Sequence, residues 1–283
     1  MPVVTLSTDT GNSDFIAGAI KGQLISAVPN VVIADVSHEL DADNYMHAAY
    51  ICNAAFAYYP AGTFHFILIN LFQVTPSFFL LAEYNNQYIV CPDNGILTVI
   101  TGNKPDPVLA IDIKNIPGKS LTTLDCTASF ATFLKKINDG AKPESFCRPV
   151  AGFDEKLPLR PTTGPDWIDA QIIFIDNFNN VVLNITKDEF ESQRNGRLFT
   201  IALPTYNNKE GIADIVTNYN AVKQGSTLAW FNSAGYLELA INKGNIADMF
   251  GLQLYNHKEK NRNKFLMKKL MYQRVKIYFE EPL

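Results

Sequence analysis

Acids and amides gather where apolar runs stop. In "LSTDTGNSDF" (6–15), Asp9 and Asp14 flank Gly11 directly after Val3, Val4 and Leu6. Pro92-Asp93-Asn94-Gly95 follows another apolar run. Asp176, Asn177, Phe178, Asn179 and Asn180 separate two more, and Asn232-Ser233 precedes Gly235-Tyr236. Each stretch reads as a turn, because Asn, Asp and Gly bond their own backbone and tolerate positive φ. A polar residue at the carboxyl end of a strand in an α/β sheet also stands where such folds bind ligands. Asp9 is placed for that second use, and Asp14 for capping a first helical turn, where a carboxylate favours the dipole.

Other chemistries lack their signatures. There is no G-x-G-x-x-G and no G-x-x-x-x-G-K-[ST], so neither a dinucleotide fingerprint nor a P-loop is signalled. No G-x-S-x-G elbow occurs. His38, His47, His65 and His257 are scattered without metal-ligand spacing, so no metal is expected. Cys52, Cys91, Cys126 and Cys147 form no C-x-x-C pair and read as reduced thiols of a cytoplasmic protein. "MPVVTLSTD" enters a strand with no basic start or apolar block, so no signal peptide is expected. No apolar run approaches the ~20 residues that cross a bilayer. The net charge of -4 gives no pull toward nucleic acid or anionic membrane.

The elements that must hold these residues alternate in the first half. Val3–Leu6 reads as a strand, 14–26 as a helix capped by Ser13, 31–36 as a strand, and the stretch opened by Asp43 or Asn44 as a helix through Tyr58, stopped at Pro60-Ala61-Gly62. A strand over 63–69 follows, then a hairpin over 78–92 about Asn85-Asn86, then a helix over 127–137 stopped at Gly140. This pattern predicts an α/β domain on a mostly parallel sheet. "EKLPLRPTTGPDW" (155–167), with Pro158, Pro161 and Pro165, reads as a linker. Short strands without long helices follow, which predicts a smaller all-β barrel. The expected boundary lies near residue 160, giving domains 1–160 and 161–283.

As a set, these stretches resemble the S-adenosylmethionine (SAM) hydroxide adenosyltransferases, relatives of fluorinating and chlorinating enzymes that use the same substrate. The resemblance rests on "TDTG", "IADVSHEL" (33–40), "AAFAYYPAGTFHF" (54–66), "PDNGILT" (92–98), "IDNFNNVVLNI" (175–185) and "NSAGYLELAINKGNIADMFGL" (232–252). It implies an α/β domain followed by a barrel, and a homotrimer with each site between neighbouring chains. It implies SAM as substrate or ligand, without a further cofactor. Asp9 then matches the carboxylate that takes both ribose hydroxyls, since two oxygens suit a vicinal diol. Asp176 matches the acid for the α-amino group, Asn180 the adenine reader and Ser233 a carboxylate contact, with Phe178 packing on the nucleoside or in the core.

The resemblance breaks where the hydrolytic members carry an aspartate, an arginine and a histidine that ready the attacking water. Without gaps, these positions fall on Asn70, Ser77 and Asp125. Three outcomes compete: binding with lost or slow hydrolysis, Asp125 as a replacement base, and halide use. Halide use is disfavoured, because a carboxylate 4 Å from the anion would repel it by ~1 to 4 kcal/mol. An interaction protein that keeps only the fold is the alternative class. Its candidate docking patch is the segment 257–276, with eight Lys/Arg against one Glu.

Overall fold

The computed structural model describes residues 1–115, 118–203, 211–252 and 273–280. Contacts divide the chain into two compact units, Met1–Pro158 and Leu159–Leu283. Most of the basic segment 257–276 lies outside the described residues. Its last residues, Arg274–Lys276, open a strand of the second unit.

The first unit is a layered α/β fold. Its strands are β1 (Val3–Thr8), β2 (Val32–Ser37), β3 (Phe64–Leu68), β4 (Phe78–Tyr84), β5 (Gln87–Pro92), β6 (Val108–Asp112) and β7 (Arg148–Pro149), in sheet order β2-β1-β3-β5-β4-β6-β7. β3 is buried along its whole length, as a central strand covered on both faces should be. The helices are α1 (Ile16–Ala27), α2 (Tyr45–Phe56), α3 (Ile96–Thr101) and α4 (Thr123–Asn138). Ile20 and Leu24 of α1 share a core with Phe130 and Leu134 of α4. Cys52 of α2 and Leu97 of α3 belong to the core on the other face.

The sheet is mixed rather than mostly parallel. β1 pairs in parallel with β2 and β3, and β3 with β5. β4 runs antiparallel to β5 and β6, and β6 to β7. The cause is local. Asn85 and Asn86 both take positive φ (51° and 62°), which makes the two-residue turn that folds β4 back on β5. Two helix starts also differ from expectation. Asp14 rather than Ser13 closes the entry to α1, its Oδ1 accepting the Ile16 N–H at 2.7 Å. α4 begins at Thr123, before the expected 127, because Thr122 and Asp125 form a capping box.

Among its described residues, the second unit is all-β apart from two short α-helices and a 3-10 turn at Tyr219–Ala221. Its strands are β8 (Thr162–Thr163), β9 (Trp167–Ile175), β10 (Val181–Thr186), β11 (Phe199–Ala202), β12 (Gly211–Ile212), β13 (Thr227–Phe231), β14 (Tyr236–Ile241) and β15 (Arg274–Phe279), with helices α5 (Lys187–Arg194) and α6 (Ile246–Met249). The antiparallel order is β12-β11-β15-β9-β10-β14-β13, with β8 beside β9. Past β12 the chain returns to the far edge, where the Val216 N–H reaches the Ala229 carbonyl at 2.8 Å. The sheet is thereby a nearly closed barrel around one core that includes Ile172, Leu183, Phe199, Leu239 and Ile277. Phe190 of α5 is fully buried and packs edge-on to Phe199 and Phe231.

Candidate functional site

In the α/β unit, parallel pairing of β1 with β3 sets Thr8 beside Leu68, so the residues that follow both strands meet. The Asp9 N–H donates to the Leu68 carbonyl at 3.1 Å. Asp9 Oδ2 accepts the Asn70 N–H at 2.7 Å. Asn70 takes φ 48°, a left-handed turn that Asn tolerates. The buried Asn94 of the "PDNG" stretch donates to the Ile69 carbonyl at 2.8 Å, fixing this turn from β5. The Gly11 N–H bonds the His38 carbonyl, and the Leu40 N–H bonds the Thr8 carbonyl. Those bonds lace "TDTG" to "SHEL". Burial raises the Asp9 pKa above 3.8, partly offset by the Asn70 N–H.

Polar side chains extend the cluster. Tyr45, the first residue of α2, donates its hydroxyl to Gln73 Oε1 at 3.1 Å. Asn70 Nδ2 lies 3.5 Å from both Tyr45 Oη and Gln73 Oε1. The Lys156 ammonium stands 3.8 Å from the Tyr45 ring centroid. Its stem crosses Gly95, where a Cβ would come 2.5 Å from Lys156 Cγ. Thr98 Oγ1 accepts the Lys156 N–H at 2.9 Å and donates to its carbonyl at 2.8 Å. Burial lowers the Lys156 pKa and raises that of Tyr45. Tyr45, Gln73 and Lys156 were not legible as site residues. They come from distant segments, and Tyr45 reads as part of a helix's apolar face.

Ser77 is exposed just before β4, and its carbonyl accepts the Ile113 N–H at 2.8 Å. Asp125 does not fit the role of a base. That role requires a desolvated carboxyl with a raised pKa. Instead, Lys119 Nζ lies 2.6 Å from Oδ1, and the Thr122 hydroxyl and N–H donate to Oδ2 at 2.6 and 3.0 Å. Lys119 first, and then Thr122, hold this carboxyl down to about 2. Asp125 is therefore a helix cap. Asp125→Asn is expected to leave any adenosine formation unchanged. Thr122→Ala should lower stability by about 1 kcal/mol, read by thermal unfolding.

In the barrel unit, Asp176 organises the turn between β9 and β10. Its Oδ1 accepts the Phe178 and Asn180 N–H groups, both at 2.8 Å. Its Oδ2 accepts Asn180 Nδ2 at 3.0 Å. Asn180 Nδ2 also donates to Tyr219 Oη at 3.1 Å. Phe178 is 77% exposed, so it is no core residue. Ser233 is exposed in the β13–β14 turn. There, Asn232 Oδ1 accepts the Ala234 and Tyr236 N–H groups at 3.0 and 3.2 Å. Tyr219, Trp230 and Glu238 join this cluster and escaped the sequence reading. The available signal was Glu238, an acid in the otherwise apolar strand "YLELAI".

The chain thus consists of a layered α/β unit and a nearly closed barrel unit, each with carboxylates and amides fixed at strand ends. Residues 4–147 match the SAM hydroxide adenosyltransferase N-terminal domain, and residues 170–258 match the C-terminal domain. The chain belongs to the SAM hydroxide adenosyltransferase family. The (R)-S-adenosyl-L-methionine hydrolase of Methanocaldococcus jannaschii is 25% identical over 253 residues, covering 85% of this chain and 88% of that protein. The protein of the same name from Thermus thermophilus is 24% identical over 268 residues, covering 89% and 96%. The crystal structure of an uncharacterized conserved protein from Thermotoga maritima shares the fold, with a TM-score of 0.77, 20% identity and coverage of 98% and 99%.

Proposed function

We propose that this chain binds S-adenosylmethionine and forms adenosine and methionine from it slowly. The observation that carries the reading is the Asp9 carboxylate, fixed at the ends of β1 and β3 in the family's matching stretch. Asp9 Oδ1 and the second lone pair of Oδ2 suit the ribose diol. Both amide hydrogens of Asn180 are engaged, which leaves Oδ1 to accept the exocyclic amine of adenine. Asp176 accepts three internal hydrogen bonds and retains acceptor capacity for the substrate ammonium. Ser233 is accessible to the substrate carboxylate, and Phe178 presents its ring to the nucleoside.

In the reaction, water attacks the ribose 5′ carbon and the C–S bond breaks. The electron pair stays on sulfur, methionine leaves neutral at that atom, and one proton is released. The leaving group needs no acid, so rate depends on readying the water. Asn70 cannot take the proton, and Ser77 brings no positive charge. Relatives named as SAM hydrolases support the substrate class, while these positions support slow turnover.

The site takes shape, on this reading, when the α/β unit of one chain and the barrel unit of the next come together in a homotrimer. Light scattering should give three chains per particle at micromolar concentration, and a stable monomer would contradict that assembly. No metal or cofactor enters the scheme, and the chain acts in the cytoplasm. Among the described residues, no helix is long and apolar enough to cross a membrane.

A further inference from the structure

Glu238 sits in β14 opposite Val182 of β10 and Trp230 of β13, and is 6% exposed. Its Oε1 accepts the Tyr219 hydroxyl at 2.6 Å and the Trp230 indole N–H at 2.9 Å. Its Oε2 accepts Asn232 Nδ2 at 3.2 Å. These donors lead to two different turns. Tyr219 Oη receives Asn180 Nδ2, which also holds Asp176. Asn232 holds the backbone on both sides of Gly235, next to Ser233. One buried carboxylate therefore ties the Asp176–Asn180 turn to the Asn232–Tyr236 turn. Hydrogen bonds to an ionised acceptor are the strong ones, and a buried network with every member satisfied fixes one arrangement.

We propose that Glu238 is a positioning residue that sets the barrel's two ligand-bearing turns in register. The inference deepens the nucleoside reading and rests on it. Its chemistry makes a specific demand. In Glu238→Gln, keeping the remaining oxygen on Tyr219 and Trp230 turns the new NH₂ against Asn232 Nδ2, donor against donor. Asn232 must then rotate, and its Oδ1 leaves the Ala234 and Tyr236 N–H groups. The reverse orientation sets the new NH₂ against the Trp230 N–H, which can only donate, and obliges the Tyr219 hydroxyl, already accepting from Asn180, to turn round. Asn232→Asp added to Glu238→Gln supplies an acceptor where the new NH₂ points and keeps one for the backbone.

The experiment uses the full chain with adenosine as the probe. Glu238→Gln should weaken adenosine binding about tenfold, the effect of roughly one hydrogen bond to a charged group. It should also speed hydrogen exchange at the Ala234 and Tyr236 amides. The double variant should recover both. Ile277→Val, which loosens the barrel core on β15 beside Ile168 and Ile201 and away from both turns, should lower the melting temperature without changing affinity. Unchanged affinity and exchange in Glu238→Gln would overturn the proposal, as would a double variant no better than the single one. If the unaltered protein binds no adenosine, the nucleoside reading fails. The exchange measurement then decides by itself whether Glu238 couples the two turns.

Discussion

Adenosine should form from S-adenosylmethionine at a rate far below the enzyme median of about 10 s⁻¹. On the proposed reading the family's aspartate falls on Asn70, whose side chain contacts Tyr45 and Gln73 and cannot ionise. On the same reading the arginine falls on the exposed Ser77. Absence of a positioned base typically costs ~10²- to 10⁴-fold. Absence of the cation beside a hydroxide-like nucleophile adds to this. Asp125 does not compensate, because Lys119 and Thr122 keep it a fully ionised helix cap. Asn70→Asp together with Ser77→Arg should therefore raise the rate by about 10²-fold or more. The new carboxylate would stand beside Asp9, and like charges raise one of two neighbouring pKa values, as a base requires. Chromatography of long incubations checks both rates. A turnover near the median in the unaltered chain, or no gain in the double variant, would show that these positions do not limit the reaction.

Asp9→Ala should weaken nucleoside binding by about 1.5 to 3 kcal/mol, the range for hydrogen bonds to a charged group. That is about 10- to 150-fold in affinity. The pH dependence has a definite sign. Burial raises Asp9 above 3.8, so the folded chain holds this proton more tightly than the unfolded chain does. The Asp9 contribution to stability therefore declines as pH rises through the shifted value. Binding runs the other way, because protonation removes an acceptor for the diol. Affinity should fall on acidification with a midpoint above 3.8, and Asp9→Asn should remove that step. Titrations at several pH values read both effects. An Asp9→Ala variant with full affinity would remove Asp9 from the site.

The features legible in the sequence are those governed by neighbours along the chain. Asn85-Asn86 marks its hairpin because two adjacent residues must take positive φ. The apolar runs of β4 and β5 mark their strands to the residue. The antiparallel half of the first sheet was missed, since alternation of strands and helices says nothing about where a hairpin inserts. Asp125 shows the opposite error. Its register against the family suggested a base, while the local pattern Thr122-x-x-Asp125 already spelled a capping box. Lys156, Tyr45 and Gln73 meet only through tertiary packing, and Gly95 reads as a turn glycine rather than as room for a lysine stem. The turn that Asp176 and Asn180 build was legible from their stretch, but the buried carboxylate behind it was not. Glu238 reaches Tyr219, Trp230 and Asn232 across strand pairing and a loop.

Titration calorimetry of S-adenosylmethionine into the full chain at neutral pH is the decisive measurement. Saturable heat with one site per chain is expected, reduced about 10- to 150-fold in affinity by Asp9→Ala. Absence of heat with S-adenosylmethionine, adenosine and methionine alike, on folded and assembled protein, would contradict a nucleoside site built on Asp9, Asp176 and Asn180.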